Sequence, residues 1–211
     1  MSASPKKFKL LLIDIQEGMC QAWEKHFSKH EEVEIINDRF ENVREYDCLV
    51  SPANGYGLMD GGIDLAIRNY FGMQLQYSVH KIIQKEYYGE QPVGTSFIIY
   101  TNNDEYPFLA HTPTMRVPTD IRRTQNAYEA MFAMLRAVAN YNKENKHPIN
   151  KVLCPGLGTA TGGMDFNESA RQMYLAWKNF KHPTTNMNWK NLHEKNLEIV
   201  GEINNSAPSK A

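Results

Sequence analysis

The sequence predicts an α/β protein, a three-layer α/β/α sandwich around a mixed, mostly parallel central sheet. Three observations carry this expectation. Short apolar runs alternate with stretches of helical period, several runs end in polar or glycine-rich segments, and 211 residues suffice for one sizeable core. Such alternation favours parallel strands joined by crossover helices.

Phe8 to Ile15 is an apolar run with an acid, Asp14, near its end, and reads as a buried parallel strand whose functional end is that aspartate. Met19, Trp23 and Phe27 then recur at helical spacing in a segment reaching Lys29. Val33 to Ile36 is a second strand and Cys48 to Val50 the core of a third. After a glycine-rich loop, Ile63, Ala66, Ile67 and Tyr70 share one helical face. Leu75 to Tyr88 supports another helix, separated from its predecessor near Gly72.

Thr95 to Tyr100 and Phe108 to Thr112 read as two further strands across the polar turn Asn102, Asn103, Asp104. From Thr124, the pattern Ala127, Met131, Met134, Leu135, Val138 predicts a long helix that ends in the polar stretch from Asn140 to His147. Lys151 to Cys154 is the last core strand and Phe166 to Phe180 the last core helix. One domain is expected over residues 1–183, followed by a polar tail at 184–211. In that tail Leu197 to Val200 is expected to add an edge strand, and Gly201 to Ala211 to be disordered.

Lysine plus arginine number 23 against 24 acids, so bulk charge gives no case for nucleic-acid or membrane partners. A phosphate can still be bound locally through backbone amides. Cys20, Cys48 and Cys154 show neither metal-ligand spacing nor an even-numbered disulfide framework, which fits a reduced compartment. No metal or cofactor is expected. The apolar run after the first seven residues is too short for a signal segment or a membrane span, so the expected location is cytoplasmic, with the nucleus reachable by diffusion.

Two glycine-rich segments carry the chemistry. Residues 50–72 run from an apolar strand through a loop holding Asn54, Asp60 and Asp64 into a helix. The first amides of a helix lack partners within it, and the helix dipole favours an anion there. The second segment, Pro155, Gly156, Leu157, Gly158, Thr159, Ala160, Thr161, Gly162 and Gly163, also follows a strand and precedes a helix. Loops leaving the carboxyl ends of parallel strands converge on one crevice, so the two can hold a pyrophosphate between opposed amides. Neither loop is a P-loop or an ordinary dinucleotide fingerprint.

The run Asp47 to Asn54, followed by Gly61, Gly62, Ile63, Asp64 to Ile67 and closed by Gly72, resembles the first signature of macro domains, which bind ADP-ribose. Val152 to Thr159, with Gly162 and Gly163 behind it, resembles that family's diphosphate loop, and Leu109 to Thr112 its penultimate core strand. The resemblance covers roughly residues 33–180, leaving an additional strand-helix unit at 8–30. Its Ser51-Pro52 start is similar to a fungal-type branch assigned to ADP-ribose 1″-phosphate hydrolysis.

The resemblance implies roles for individual residues. Asn54 matches an asparagine that hydrogen-bonds the distal ribose, and Asp64 the aspartate of the hydrolytic branch, which orients or deprotonates a water. Ala53, Pro155, Gly156 and Leu157 would line the ligand, Gly61, Gly62 and Ile63 would offer amides to the diphosphate, and Gly158 to Gly163, with Thr159, Ala160, Thr161 and Gly162 between them, would close over it. Asp38 matches the aspartate that accepts from the adenine amino group, and Asp14 competes for that part. The implied partner is ADP-ribose, a derivative of it, or an ADP-ribosylated protein. A non-catalytic ADP-ribose reader is the alternative. Met59 and Asp60 stand where many relatives have glycines, and Gly162 where an aromatic residue often covers the ribose.

Simpler readings stand beside these. Asn54 suits a turn ahead of Gly55, and Asp64 an acid in the first turn of a helix. His111 and Cys154 read as core residues, and Arg116, Arg122 and Arg123 as a solvated basic face.

Overall fold

The computed structural model describes residues 8–201. In chain order the elements are β1 (Lys9–Ile13), α1 (Glu17–Phe27), β2 (Val33–Ile36), a 3-10 turn (Phe40–Asn42), β3 (Cys48–Ser51), α2 (Gly62–Phe71) and α3 (Met73–Glu86). There follow β4 (Phe97–Tyr100), β5 (Phe108–His111), α4 (Asn126–Glu144), β6 (Lys151–Pro155), α5 (Phe166–Lys181) and α6 (Trp189–Val200).

The strands form one sheet in the order β2-β1-β6-β3-β5-β4, parallel throughout except for β4, which runs antiparallel to β5. The expected mixed, mostly parallel sheet is therefore present. Side-chain alternation divides the core in two. Leu10, Leu12, Val50, Ala110, Val152 and Cys154 pack with residues of α1, α4 and α5, while Leu11, Ile13, Leu49, Leu109 and Leu153 pack with α2 and α3. Because both faces are covered, the inner strands are apolar at nearly every position.

Local chemistry sets the boundaries. Asp165 caps α5, its carboxylate accepting from the amides of Asn167 and Glu168 at 2.9 and 3.2 Å. Gly72, at φ 90°, breaks the chain between α2 and α3. The carboxylate of Asp47 accepts from the amides of Asn150 and Lys151 at 2.6 and 2.8 Å and ties the start of β3 to that of β6.

Two expectations for the tail fare differently. Leu197 to Val200 belong to helix α6 and not to an edge strand; the sheet ends at β2 and β4. The reason is tertiary: Arg171 on α5 donates to the last carbonyls of α6, Glu198 O at 2.7 Å and Ile199 O at 3.0 Å, while Lys178 pairs with Glu198 at 2.6 Å. Of the disorder expected over Gly201 to Ala211, Gly201 is instead placed as the C-cap of α6, its amide donating to Leu197 O, and residues 202–211 lie outside the described residues.

Gly57, between β3 and α2, has φ 70°, and a Cβ there would sit 2.7 Å from Val79 Cγ1 and 2.8 Å from Ile83 Cδ1. Gly57→Ala is expected to cost about 2–4 kcal/mol in urea unfolding, from overpacking and left-handed strain together. A loss below about 0.5 kcal/mol, the range of a neutral surface change, would show the loop free to move off α3.

Candidate functional site

Parallel pairing brings the carboxyl ends of β1, β2, β3, β5 and β6 to one edge of the sheet. There the chain encloses a cleft of about 600 Å³, within the range of small-molecule sites. It is lined by both glycine-rich segments, by the ends of β1 and β2, by Thr114 and Met115 after β5, and by Phe166 at the start of α5. Of the residues expected at the site, Asp14, Asp38, Ala53, Asn54, Gly61, Gly62, Ile63, Asp64, Pro155, Gly156, Gly158, Thr159, Ala160, Thr161 and Gly162 line it.

Leu157 and Gly163 do not. Leu157 is buried in the core, and its carbonyl accepts from Ser169 Oγ at 2.8 Å. The amide of Gly163 is used within its own turn, donating to Ala160 O at 3.0 Å. Met164 N–H donates to Gly158 O at 3.0 Å, folding the segment into a compact turn. Among the described residues, the amides of Thr159, Ala160, Thr161 and Gly162 have no protein acceptor. Gly162 cannot carry a side chain, since a Cβ would lie 2.5 Å from Ile121 Cγ1 and 2.6 Å from Gly158 O. Backbone packing against Ile121 thus accounts for the missing aromatic.

The first loop divides its labour. Met59 is fully buried between β3 and the α2–α3 layer, with its amide donating to Gln76 Oε1 at 3.0 Å, whereas Asp60 is exposed in the cleft wall. Gly61 is the extended cap residue of α2 and supplies no side-chain bond, so the first-turn amides lack a capping side chain. A Cβ at Gly61 or Gly62 would meet nothing within 4 Å. Packing requires neither glycine, but the left-handed backbone at Gly62, φ 53°, does call for one, and the extended Gly61 leaves the helix end clear.

Asn54 satisfies its own loop. Its Nδ2 donates to Leu58 O at 2.7 Å, and its Oδ1 accepts from the amides of Tyr56 and Leu58 at 3.1 and 3.3 Å. That is the turn reading of this residue, achieved while its side chain borders the cleft.

Asp64 is different. It is 7% exposed, borders the cleft, and accepts at Oδ1 from Ser51 Oγ at 2.7 Å. Burial raises its pKa to about 6, with Asp60 adding to the rise and Ser51 opposing it. A carboxyl so placed is mostly ionised at pH 7, yet a strong proton acceptor for a carboxylate.

Placement of β1 between β2 and β6 separates the two remaining acids. Ile13 pairs with Pro155, so Asp14 leans on the second loop: a Cβ at Gly156 would sit 2.7 Å from Asp14 Oδ2. Burial raises the Asp14 pKa against backbone hydrogen bonds that lower it. Asp38 lies one strand further out. Its Oδ1 accepts from Asn42 Nδ2 and the Arg39 amide, both at 2.7 Å, which holds its carboxyl below the usual value. Charged lining is completed by Glu41, Asp60 and Arg39.

His111 and Cys154 are fully buried. The His111 ring stacks on Phe97, its Nδ1 donates to Gln91 Oε1 at 2.6 Å, and burial depresses its pKa to about 3. Burial pushes the Cys154 thiol far up, so no thiolate is available. Arg116 pairs with Glu90 at 2.7 Å, and Arg122 forks onto Asp120. None of Arg116, Arg122 or Arg123 lines the cleft. Among the described residues, no group of three or more His, Cys, Asp or Glu could hold a metal ion, and no helix is long and apolar enough to cross a membrane.

Several cleft residues were not expected from the sequence. Thr114 and Met115 follow β5, so the rule that located the glycine loops also applies to them. Arg39, Phe40 and Phe166 carry no local signal that separates a wall from a core residue.

Fold and site together define a three-layer α/β/α ligand-binding domain in which two glycine-rich loops and a buried carboxyl line one cleft. The chain belongs to the macro domain family, whose model matches residues 50–173. An uncharacterized protein of Aquifex aeolicus (strain VF5) is 25% identical over 150 residues, 71% of this chain and 83% of that protein. Among solved structures, the macrodomain of Mycobacterium tuberculosis DarG matches with TM-score 0.54 at 20% identity, over 67% of this chain and 87% of that one. A mutant of the Oceanobacillus iheyensis macrodomain with ADPR matches with TM-score 0.55 at 18% identity, over 89% and 84% of the two chains.

Proposed function

We propose that the cleft binds ADP-ribose and that Asp64 directs hydrolysis of a substituent on the distal ribose. The observation that carries this reading is a buried carboxyl with a raised pKa that lines one cleft with two sets of unpartnered amides. Family membership and the ADPR-bound relative support the choice of ligand. The diphosphate lies between the first turn of α2 and the amides of Thr159 to Gly162. The distal ribose faces Ala53, Asn54 and Asp64, and adenine lies toward Asp14 and Asp38. Since those two acids follow β1 and β2, the functional unit extends N-terminal to the residues matched by the family model.

In the reaction, ionised Asp64 takes a proton from a water that attacks the anomeric carbon as the bond to the substituent oxygen breaks. The proton then passes to the departing oxygen, which regenerates the carboxylate and releases ADP-ribose. Substrates of this class are ADP-ribose 1″-phosphate, the substrate of the fungal-type branch, and ADP-ribose esterified to protein. Incubation with each, followed by quantification of ADP-ribose, tests the reading. Release from at least one is expected. Binding of ADP-ribose without release from either would identify a reader module, a reading favoured only by Asn54 spending its amide on its own loop.

A further inference from the structure

Asp64 is fixed by one protein hydrogen bond. Ser51, the last residue of β3 and fully buried, donates to Oδ1 at 2.7 Å. Among the described residues, Oδ2 makes no hydrogen bond. Among the described residues the only buried side-chain polar atom without a partner is His111 Nε2, so Oδ2 must open to the cleft that Asp64 lines. One oxygen is held and the other is presented.

Strand register explains how Ser51 reaches this place. It pairs with His111 on β5 and, by alternation from Leu49, points to the sheet face covered by α2 and α3. That directs its hydroxyl to the first turn of α2, where Asp64 sits. Among the described residues, no other side chain hydrogen-bonds the Asp64 carboxylate.

We propose that Ser51 is a positioning residue: its hydroxyl holds Asp64 in the rotamer that aims Oδ2 at the distal end of the cleft. This rests on the hydrolytic reading above. A hydroxyl donating to a carboxylate also favours the ionised form. The groups around Asp64 that bear on its charge are few. Asp60 in the adjoining loop raises its proton affinity. On β5, His111 stays neutral; on α3, His80 is engaged with Gly57 O at 2.9 Å. Asp14 stands on another wall of the cleft, with Arg39 and Glu41 near Asp38.

The test compares wild type with Ser51→Ala, Ser51→Thr and Ser51→Val by carboxyl NMR titration of Asp64, calorimetry with ADP-ribose, and the pH profile of turnover. Removing the hydroxyl is expected to raise the Asp64 midpoint by roughly one unit and lower kcat about tenfold or more, with ADP-ribose affinity unchanged. The acid limb of the profile should move with the titration, and Thr should restore both. Thr and Val are near-isosteric, so their comparison isolates the hydroxyl if the alanine variant fails to fold. An Asp64 midpoint identical in the Thr and Val proteins overturns the proposal. The titration does not depend on turnover, so a moved midpoint in a protein that hydrolyses nothing would retain Ser51's hold on Asp64 and reject the hydrolytic reading alone.

Discussion

Asp64→Asn is expected to abolish turnover and, at pH 8, to make the protein more stable. The two effects share one cause. Burial raises the folded-state pKa of Asp64 from 3.8 to about 6, so the carboxyl's contribution to stability is fully present below about pH 4 and is lost as pH rises through about 6. Above that range the wild type carries an ionised, buried carboxylate at a cost of about 3 kcal/mol. Asparagine removes the charge and keeps an oxygen to accept from Ser51. Its amide cannot take a proton from water, and a loss of about 10²–10⁴ in kcat follows. Urea unfolding at pH 8 beside a turnover assay checks both signs. Wild-type turnover, or a variant less stable than wild type at pH 8, contradicts the assignment.

His111 makes the same experiment more informative. Its pKa is depressed to about 3, so its stability contribution is present above the unfolded value near 6.5 and is lost as pH falls toward 3. In the wild type this loss runs against the gain from protonating Asp64, and the pH dependence between about 6 and 4 is flattened. Asp64→Asn removes the compensation, so the variant should lose stability across that window.

Gly61→Asp separates binding from folding. The backbone at Gly61, φ −145° and ψ 160°, suits a capping residue, and a Cβ meets nothing within 4 Å. An aspartate there accepts from the free amides of α2 and interacts favourably with the dipole, offset by repulsion from Asp60 and Asp64. Stability should stay within about 1 kcal/mol of wild type. The amides proposed to hold the diphosphate would then be occupied and faced by a negative charge, and ADP-ribose affinity should fall about 100-fold or more. Retained affinity would place the diphosphate elsewhere.

The sheet is legible in the sequence because its inner strands are buried on both faces and appear as short apolar runs, such as LLLI in β1 and FLA in β5. The position of β1 is not legible, since pairing with β6 involves residues about 140 apart. Helix α6 was hidden for a similar reason: Ile199 and Val200 are β-branched residues, held helical by contacts from Arg171 on α5.

At the site, the glycine loops show in the sequence, but the fate of each amide and side chain does not. Leu157 and Gly163 fall within the expected loop, and folding turned one into the core and spent the other's amide. Asn54 has the right residue type and uses it locally. Ser51 and Asp64 lie 13 residues apart, and only the strand register and the first turn of α2 bring them together.

Calorimetric titration of the wild-type protein with ADP-ribose tests the central claim most directly. One molecule should bind per chain with a dissociation constant near the micromolar range, about −8 kcal/mol. An absence of binding at millimolar ADP-ribose would contradict the assignment of this cleft.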